Sequence, residues 1–442
     1  MGLPPITYLL AALAAGLFAL AIVSTQPADK IVGRLGAIGL VVAILLPFGL
    51  VSAEIRFMQM PLMAFLLVTI LVRRRSNGAV RPGLTLLLVG YVAVTFTSTY
   101  FEAITGAMLQ LFVHAVFGLT FFAVGALAYP AERRVLVHTL FGLAVIQSIY
   151  AVVEVLFAPP VLYASAIAGQ SELEETLSIS RLPSEVIPGL DRAQGTFGQP
   201  LLLAAFLTVA LALVGRWTFQ RASTRTILSI VFVVGAVASG SRSTLLIMGI
   251  IVAFSFGFSR LVLLRGAIVV AAVGLGAWAF GFFDSLLYQR FATSGSLTHR
   301  QDGLDALPRL LTQPLEEVLL GNGWFSQESM FARGLLQRDG FEAIDNQLIS
   351  TLVTSGVFGV ILIVSIMVAS WLLATPQLRP AVFAVFVMYI VFDVNELPAS
   401  WSILTFVVGL VARRGPVRPP LLAQVERIRN HSFKRNTENA PV

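Results

Sequence analysis

The sequence contains no cysteine, and charged residues make up only 12% of its 442 positions. The first absence excludes disulfide bridges and every site that needs a thiolate. The second excludes an ordinary water-soluble domain, because about a quarter of the residues in such domains are charged. A chain with so little charge has few side chains with which to cover a water-facing surface.

Long apolar runs take the place of the missing charge, and they predict an all-α, polytopic membrane bundle of 12 or 13 transmembrane helices. Hydrophobic residues reach 57%. In lipid the backbone must satisfy its own hydrogen bonds, so only helices and closed barrels are possible. Barrel strands alternate over about ten residues, whereas these runs are longer and apolar on every face. The candidate spans are 5–24, 34–52, 57–72, 84–100, 106–129, 135–157, 198–215, 225–239, 243–259, 261–282, 347–373, 379–394 and 398–412.

The distribution of Lys and Arg predicts how the bundle is oriented. If the spans alternate, most basic residues fall on one side, which the positive-inside rule makes the cytoplasm. We therefore predict a transmembrane domain over 1–413, two long extracytoplasmic loops at about 158–197 and 283–346, and a disordered, basic cytoplasmic tail at 414–442. The location that follows is a bacterial inner membrane, with any site on the periplasmic face.

The net charge of +7 does not indicate a nucleic-acid partner, because the excess arginine lies in short loops and in the tail. The sequence has no cluster of metal-ligand residues, no phosphate-binding loop of the nucleotide type and no dinucleotide fingerprint. We expect no metal, no cofactor and no nucleic acid. Four polar segments remain as candidates for chemistry.

The first segment runs from Asp191 to Pro200 and is a glycine-punctuated polar turn that leads into an apolar run. Glycine lets backbone amides approach a ligand closely, and the start of the following helix favours an anion. Arg192 adds a guanidinium that suits phosphate. The alternative is a plain loop-to-helix connection with an interfacial arginine, and spacing alone leaves both open.

The second segment, Ala238–Thr244, is a very short turn between two apolar spans and contains Arg242. Such an arginine is either buried within the bundle or extended to the membrane surface. No acidic residue is close in sequence, so a phosphate-bearing ligand would satisfy a buried guanidinium. The alternative is a simple hairpin at the interface.

The third segment lies in the second long loop, where Thr298–Leu307 predicts a short amphipathic helix containing His299 and Arg300. Residues 308–314 end that helix, and Gly321–Trp324 predicts a tight turn. The alternative is a solvated loop helix whose histidine is an ordinary surface residue.

The fourth segment, Ile344–Gln347, places Asp345 and Asn346 at the start of an apolar run. The dipole of a helix start stabilises a carboxylate. Asp and Asn are also favoured there as N-caps, and a cap and a catalytic role are compatible. The four segments together place several arginines and one acid near one face, an arrangement suited to a lipid-linked phosphate.

These segments, in this order, resemble the O-antigen ligase and O-antigen polymerase superfamily of membrane glycosyltransferases. The similarity covers roughly 190–360, and the hydropathy agrees along the whole chain. Arg192–Pro200 looks like the family's arginine–glycine segment, and Ser239–Ser243 looks like its short Ser-Arg turn. Arg300, followed by an amphipathic stretch and Gly321–Gly323, looks like its long-loop pattern.

The fourth segment both fits the family and departs from it. Ligases carry a histidine, then Asn, Ser or Gln, then nine residues and a Gly-x-x-Gly. Here Asn346 is followed by Gln347–Ser355 and Gly356–Gly359, but Asp345 stands where the ligase histidine would be. This departure favours the polymerase branch over the ligases.

The resemblance implies an inverting transfer of a glycan from polyprenyl pyrophosphate to a sugar hydroxyl. The site must bind the charge of the leaving group and position the acceptor. The resemblance assigns the pyrophosphate to Arg192, Arg242 and Arg300, with Asn346 and His299 beside them. Arg242 and Arg300 would also act in catalysis, by stabilising the charge that develops on the leaving group.

Asp345 is the implied catalytic base, by analogy with the histidine that it replaces. The implied partners are a polyprenyl-pyrophosphate-linked donor, a lipid-linked acceptor, membrane lipid and, for a polymerase, a chain-length regulator protein. One rival is an O-antigen ligase that uses lipid A-core or another acceptor. The other is a flippase or transporter, which the near absence of mid-span charge disfavours, since Glu154 and Asp393 lie only near span ends.

Overall fold

The computed structural model describes residues 30–47, 53–73, 80–102, 106–159, 184, 189–216, 222–255, 301–336, 344, 346–391 and 398–413. These residues form helices and connecting turns and contain no β-strand, apart from an isolated bridge between Val80 and Arg413. The predicted spans 5–24 and 261–282, the tail at 414–442 and most of the two predicted long loops lie outside the described residues.

A helix is present at each of the other predicted spans. The longer helices are α1 (Ile31–Leu45), α2 (Ala53–Arg73), α3 (Pro82–Glu102), α4 (Ala107–Leu127), α5 (Pro130–Phe157), α6 (Pro200–Arg216), α7 (Ala222–Ala238), α8 (Arg242–Ser255), α12 (Gln347–Leu373), α13 (Arg379–Val391) and α14 (Pro398–Ala412). Short helices α9 (Leu307–Leu310), α10 (Leu315–Leu320) and α11 (Gln327–Ala332) lie in the second predicted loop.

Four of these helices, α3, α4, α5 and α12, are long and apolar enough to cross a membrane. The predicted all-helical class is therefore confirmed for the described residues, and four of their helices have the length and composition of membrane spans. The number of spans and the extent of the loops stay predictions.

Small residues bring α4 and α14 together at the centre of the bundle. A Cβ on Gly125 would lie 2.5 Å from the Phe406 carbonyl oxygen, and one on Gly409 would lie 2.3 Å from the Phe122 carbonyl oxygen. Backbones that approach this closely gain van der Waals contact, which is a main source of helix association in lipid. Both helices run in the same direction.

Contacts at the helix starts show which helices begin together. The Glu132 carboxylate, near the start of α5, accepts hydrogen bonds from the amides of Gly33 in α1 (3.2 Å) and Tyr129 (2.8 Å). The Arg133 guanidinium donates to the Leu410 carbonyl at the end of α14 (2.9 Å). The starts of α1 and α5 therefore meet the end of α14.

The start of α3 joins the same end of the bundle, since the Arg81 amide donates to the Ala412 carbonyl (2.8 Å). The Arg413 guanidinium lies 5.4 Å from the centre of the Tyr129 ring. Burial lowers the pKa of Arg413 below its ordinary value, and the Glu132 carboxylate opposes that shift. We call this end the basic end. It gathers the basic groups that the charge pattern placed on one side, including Lys30, Arg34, Arg133, Arg134 and Arg413.

Candidate functional site

The opposite end of the bundle, which we call the loop end, holds what is described of the four candidate segments. It is formed by the ends of α1, α3 and α5, which all begin at the basic end. α12 starts here as well, because it runs antiparallel to α3: Gly90 lies near Leu362, whereas Ser98 bonds to Thr354. The basic residues named above and the candidate segments therefore lie at opposite ends.

The first and second candidate segments are in direct contact. The Ala193 amide donates to the Ala238 carbonyl (2.9 Å). A Cβ on Gly240 would lie 2.9 Å from Cγ of Arg192, so the stem of the arginine crosses the turn where that turn has no side chain. Gly240 has a φ of +65°, a left-handed conformation that glycine adopts without steric cost. We call residues 192–199 the arginine segment and Ser239–Ser241 the serine turn.

A buried carboxylate anchors the arginine segment to α5. The side chain of Glu154 is 5% exposed, and its Oε2 accepts hydrogen bonds from the amides of Gln194 (3.0 Å) and Gly195 (2.7 Å). The expectation that the backbone amides of this segment approach a ligand is wrong for these two, because both already donate to the Glu154 side chain. A phosphate held here would meet the Arg192 side chain, not these amides.

A second anchor lies one residue further along the chain. The Thr196 amide donates to Oε1 of Gln147 (3.1 Å), and the Thr196 hydroxyl bonds to Nε2 of Gln147 and to the Ile44 carbonyl. A Cβ on Gly195, whose φ is +61°, would lie 2.6 Å from Oε1 of Gln147. Only glycine therefore lets the segment sit this close to α5.

Sequence analysis did not identify these anchors as part of the site. The sequence pattern marks Glu154 only as a charge near a span end, and it gives Gln147 no special place. The two residues are seven positions apart and so lie on the same face of the helix. A polar pair at that spacing in an otherwise apolar span is the signal that could have found them.

The serine turn also starts α8. The hydroxyls of Ser241 and Thr244 are 2.9 Å apart, and the Thr244 amide donates to Oγ of Ser241 (3.4 Å), so Ser241 acts as an N-cap. Arg242 is the first residue of this helix. Its side chain lies outside what the structure describes, and its proposed role stays a prediction.

The third and fourth segments also meet, around a break in α12. Gly356 has φ +62° and ψ −165°, a region occupied almost only by glycine. The break releases carbonyls that a continuous helix would use. Asn322 and Gly323 donate their amides to the carbonyls of Val353 (2.7 Å) and Thr354 (3.1 Å). The predicted span 347–373 is therefore two helical pieces, and we call Gly321–Gly323 the glycine turn.

Trp324, which directly follows the glycine turn, contacts α3 and α4, and α12 is also bound to α3. The Ser98 hydroxyl donates to the Thr354 carbonyl (2.8 Å), and the Trp324 amide donates to the Thr99 hydroxyl (3.0 Å). The Trp324 ring lies 4.7 Å from the ring of His114, which is buried within α4. The chain bends at Asn322 within the predicted turn Gly321–Trp324, but the hydrogen-bonded turn lies slightly later, where the Ser326 amide donates to the Gly323 carbonyl (3.4 Å). Close backbone contacts account structurally for Gly321 and Gly323.

Asn346 has a clear structural role. Its Oδ1 accepts hydrogen bonds from the amides of Leu348 (2.9 Å) and Ile349 (3.3 Å), so it is the N-cap of α12. This confirms the cap and leaves its assignment to the pyrophosphate a prediction. Asp345, His299 and Arg300 lie outside the described residues, and the roles predicted for them stay predictions.

The described part of the second loop, 301–336, is acidic, with five carboxylates and two arginines. Glu317 pairs with Arg333 (3.0 Å) and also accepts from Gln313 (2.7 Å). The described residues contain no group of three or more side chains able to hold a metal ion. This acidic surface is poorly suited to a pyrophosphate, in contrast to the arginine segment.

Comparison with protein-family models found no match, and comparison with curated proteins also found none.

Proposed function

We propose that the protein is a polysaccharide polymerase of the inner membrane. It would transfer a glycan, with inversion, from polyprenyl pyrophosphate to the sugar hydroxyl of a second lipid-linked repeat unit. The reaction would take place at the loop end, and the loop end would face away from the cytoplasm. The basic end, which gathers arginines at the helix starts, would face the cytoplasm, in agreement with the positive-inside rule.

The contact between the arginine segment and the serine turn is the observation that carries this proposal. It brings Arg192 to the turn that immediately precedes Arg242, although the two arginines are fifty positions apart in the chain. A polyprenyl pyrophosphate needs cationic groups at the edge of a membrane. Arginine suits that position because it stays charged when desolvated and can bind phosphate oxygens in pairs.

The proposed roles follow from that placement. Arg192, Arg242 and Arg300 bind the pyrophosphate, with His299 and Asn346 nearby. Arg242 and Arg300 also stabilise the leaving group. Asp345, which directly precedes the cap of α12, takes the proton from the acceptor hydroxyl, a contribution of typically about 10²–10⁴-fold.

An acceptor comparison tests the proposal against its rivals. The purified protein in lipid nanodiscs would receive lipid-linked repeat units alone, or repeat units with lipid A-core. A polymerase produces a ladder of lipid-linked oligomers from repeat units alone, whereas a ligase gives product only when lipid A-core is present. A flippase forms no glycosidic bond with either acceptor. The same protein in sealed vesicles would instead move repeat units between leaflets, and that result without a ladder would overturn the proposal.

A further inference from the structure

α5 carries two buried carboxylates, one near each end of the helix. Glu132 is 2% exposed and Glu154 is 5% exposed. Each accepts hydrogen bonds from two backbone amides. Glu132 joins helix starts at the basic end, far from the candidate segments. Glu154 holds the arginine segment, and the roles proposed above do not use it.

We propose that Glu154 is a positioning residue, which acts through Arg192 to set where the pyrophosphate of the donor binds. This inference rests on the proposed function, because it assumes that Arg192 contacts the donor. It adds a residue that fixes the site from within a membrane helix.

The geometry gives Glu154 this role. Two hydrogen bonds, from the consecutive amides of Gln194 and Gly195, end on the same oxygen, Oε2. Two donors converging on one acceptor fix both the position and the direction of the chain at that point. Arg192 is only two residues earlier, on a stretch that is not helical.

The anchor also places Arg192 against a second element. Between the Glu154 contact and the arginine, the Ala193 amide bonds to the Ala238 carbonyl at the end of α7. The stem of Arg192 then crosses Gly240. Release of the amides at Gln194 and Gly195 would let the segment move away from the serine turn. A binding group on an irregular segment needs such support from rigid elements to hold its geometry.

The test separates position from charge with two conservative variants. Glu154→Gln removes the charge, but its side-chain oxygen can still accept both amide hydrogens. Glu154→Asp keeps the charge and withdraws it by one methylene. For a positioning role, we expect Glu154→Asp to raise the donor KM by about tenfold, with kcat little changed, whereas Glu154→Gln stays within about threefold of the wild type.

The assay uses the full chain in nanodiscs with lipid-linked repeat units as substrate. Glu132→Gln and Glu132→Asp are the matched controls, because they alter an equally buried carboxylate on the same helix at the other end. We expect these variants to change thermal stability and to leave the donor KM unchanged. If Glu154→Gln is more damaging than Glu154→Asp, or if neither raises the donor KM, the positioning role is wrong.

Hydrogen exchange gives a readout that does not depend on turnover. In Glu154→Asp, we expect faster amide exchange at 193–196 than in the wild type, with unchanged exchange in α12. Equal exchange at 193–196 would overturn the anchor itself. The two proposals fail in different ways: Arg192→Ala with a normal donor KM contradicts the proposed function, whereas a raised KM in Arg192→Ala alone contradicts only the role of Glu154.

Discussion

Two polar turns lie at the loop end, and they are held in opposite ways. The arginine segment is bound by side chains, since Glu154 and Gln147 of α5 accept its backbone amides. The glycine turn is bound through backbone groups. Its amides donate to the carbonyls of Val353 and Thr354, which the break in α12 at Gly356 releases from helical hydrogen bonding. Irregular chain within a membrane bundle needs every buried amide satisfied, and the two turns meet that need differently.

The difference separates a site from a structural joint. In the arginine segment the amides of Gln194, Gly195 and Thr196 donate to side chains of α5, and the Ala193 amide donates to the Ala238 carbonyl. The stem of the Arg192 side chain extends over the serine turn. In the glycine turn the amides of Asn322 and Gly323 are used in docking, and the neighbouring loop is acidic. This contrast supports the proposal that the arginine segment binds the ligand, whereas the glycine turn holds the second loop against α12.

The largest loss of stability should come from Gly356→Ala, which disrupts the break in α12 that the glycine turn depends on. A Cβ there would lie 2.4 Å from the Leu319 carbonyl group, and alanine strongly disfavours the backbone angles of this residue. We expect a loss of more than about 3 kcal/mol in the free energy of unfolding, seen as loss of monodisperse protein in size-exclusion chromatography. Gly90→Ala on α3 is the control, because its Cβ would meet Leu362 at an ordinary 3.6 Å.

A normal unfolding temperature for Gly356→Ala would show that the glycine turn does not depend on the break in α12. The contrast between the two turns would then lose its physical basis.

The next largest effect, a loss of activity, should come from Gly240→Ala, which alters the contact between the serine turn and Arg192 in the proposed site. The left-handed φ of Gly240 costs alanine about 1–2 kcal/mol. The new methyl group would also lie 2.7 Å from Oγ of Ser184 and 2.9 Å from Cγ of Arg192, so both residues would have to shift. Gly189→Ala is the matched control, because Gly189 also has a left-handed φ, of +83°, but has nothing within 4 Å of a Cβ. We expect both variants to lose stability, Gly240→Ala by more because of these contacts, and the formation of lipid-linked oligosaccharides to be lost only in Gly240→Ala. Equal activity in the two variants would contradict the placement of Arg192.

The smallest effect should come from Asn346, where cap and ligand roles can be separated. Asn346→Ala removes the acceptor for the amides of Leu348 and Ile349 and should cost about 1 kcal/mol of stability. Asn346→Asp keeps that acceptor and should be as stable as the wild type. If Asn346 contacts the pyrophosphate, the added negative charge should also raise the donor KM. An unchanged donor KM in Asn346→Asp would restrict this residue to its cap.

Hydropathy and glycine placement predicted much of the fold. A helix lies at each predicted span that the structure describes, because apolar runs of this length have no other stable form in lipid. The cap at Asn346 also follows from local chemistry, since its side chain accepts from the first amides of α12. The break at Gly356 could not be predicted from local sequence, since it is paired with a turn more than thirty residues earlier in the chain.

The site was predictable only in part, for a similar reason. The sequence singled out Arg192 by its residue type and its neighbours. Glu154 was missed because its partners, Gln194 and Gly195, are forty residues away and lie on the backbone, where sequence carries little signal. These amides donate to Glu154 because of how α5 packs against the arginine segment, and the local sequence pattern does not show that packing.

Consumption of the lipid-linked donor by Arg192→Ala tests the central claim most directly, namely that the loop end binds a lipid-linked pyrophosphate through the arginine segment. Arg134→Ala, which removes an exposed arginine at the basic end, is the control. We expect Arg192→Ala to lower kcat/KM for the donor by about a hundredfold, a loss typical of truncating one partner of a charge pair, and Arg134→Ala to stay near the wild type. Equal donor consumption by the two variants would contradict the account.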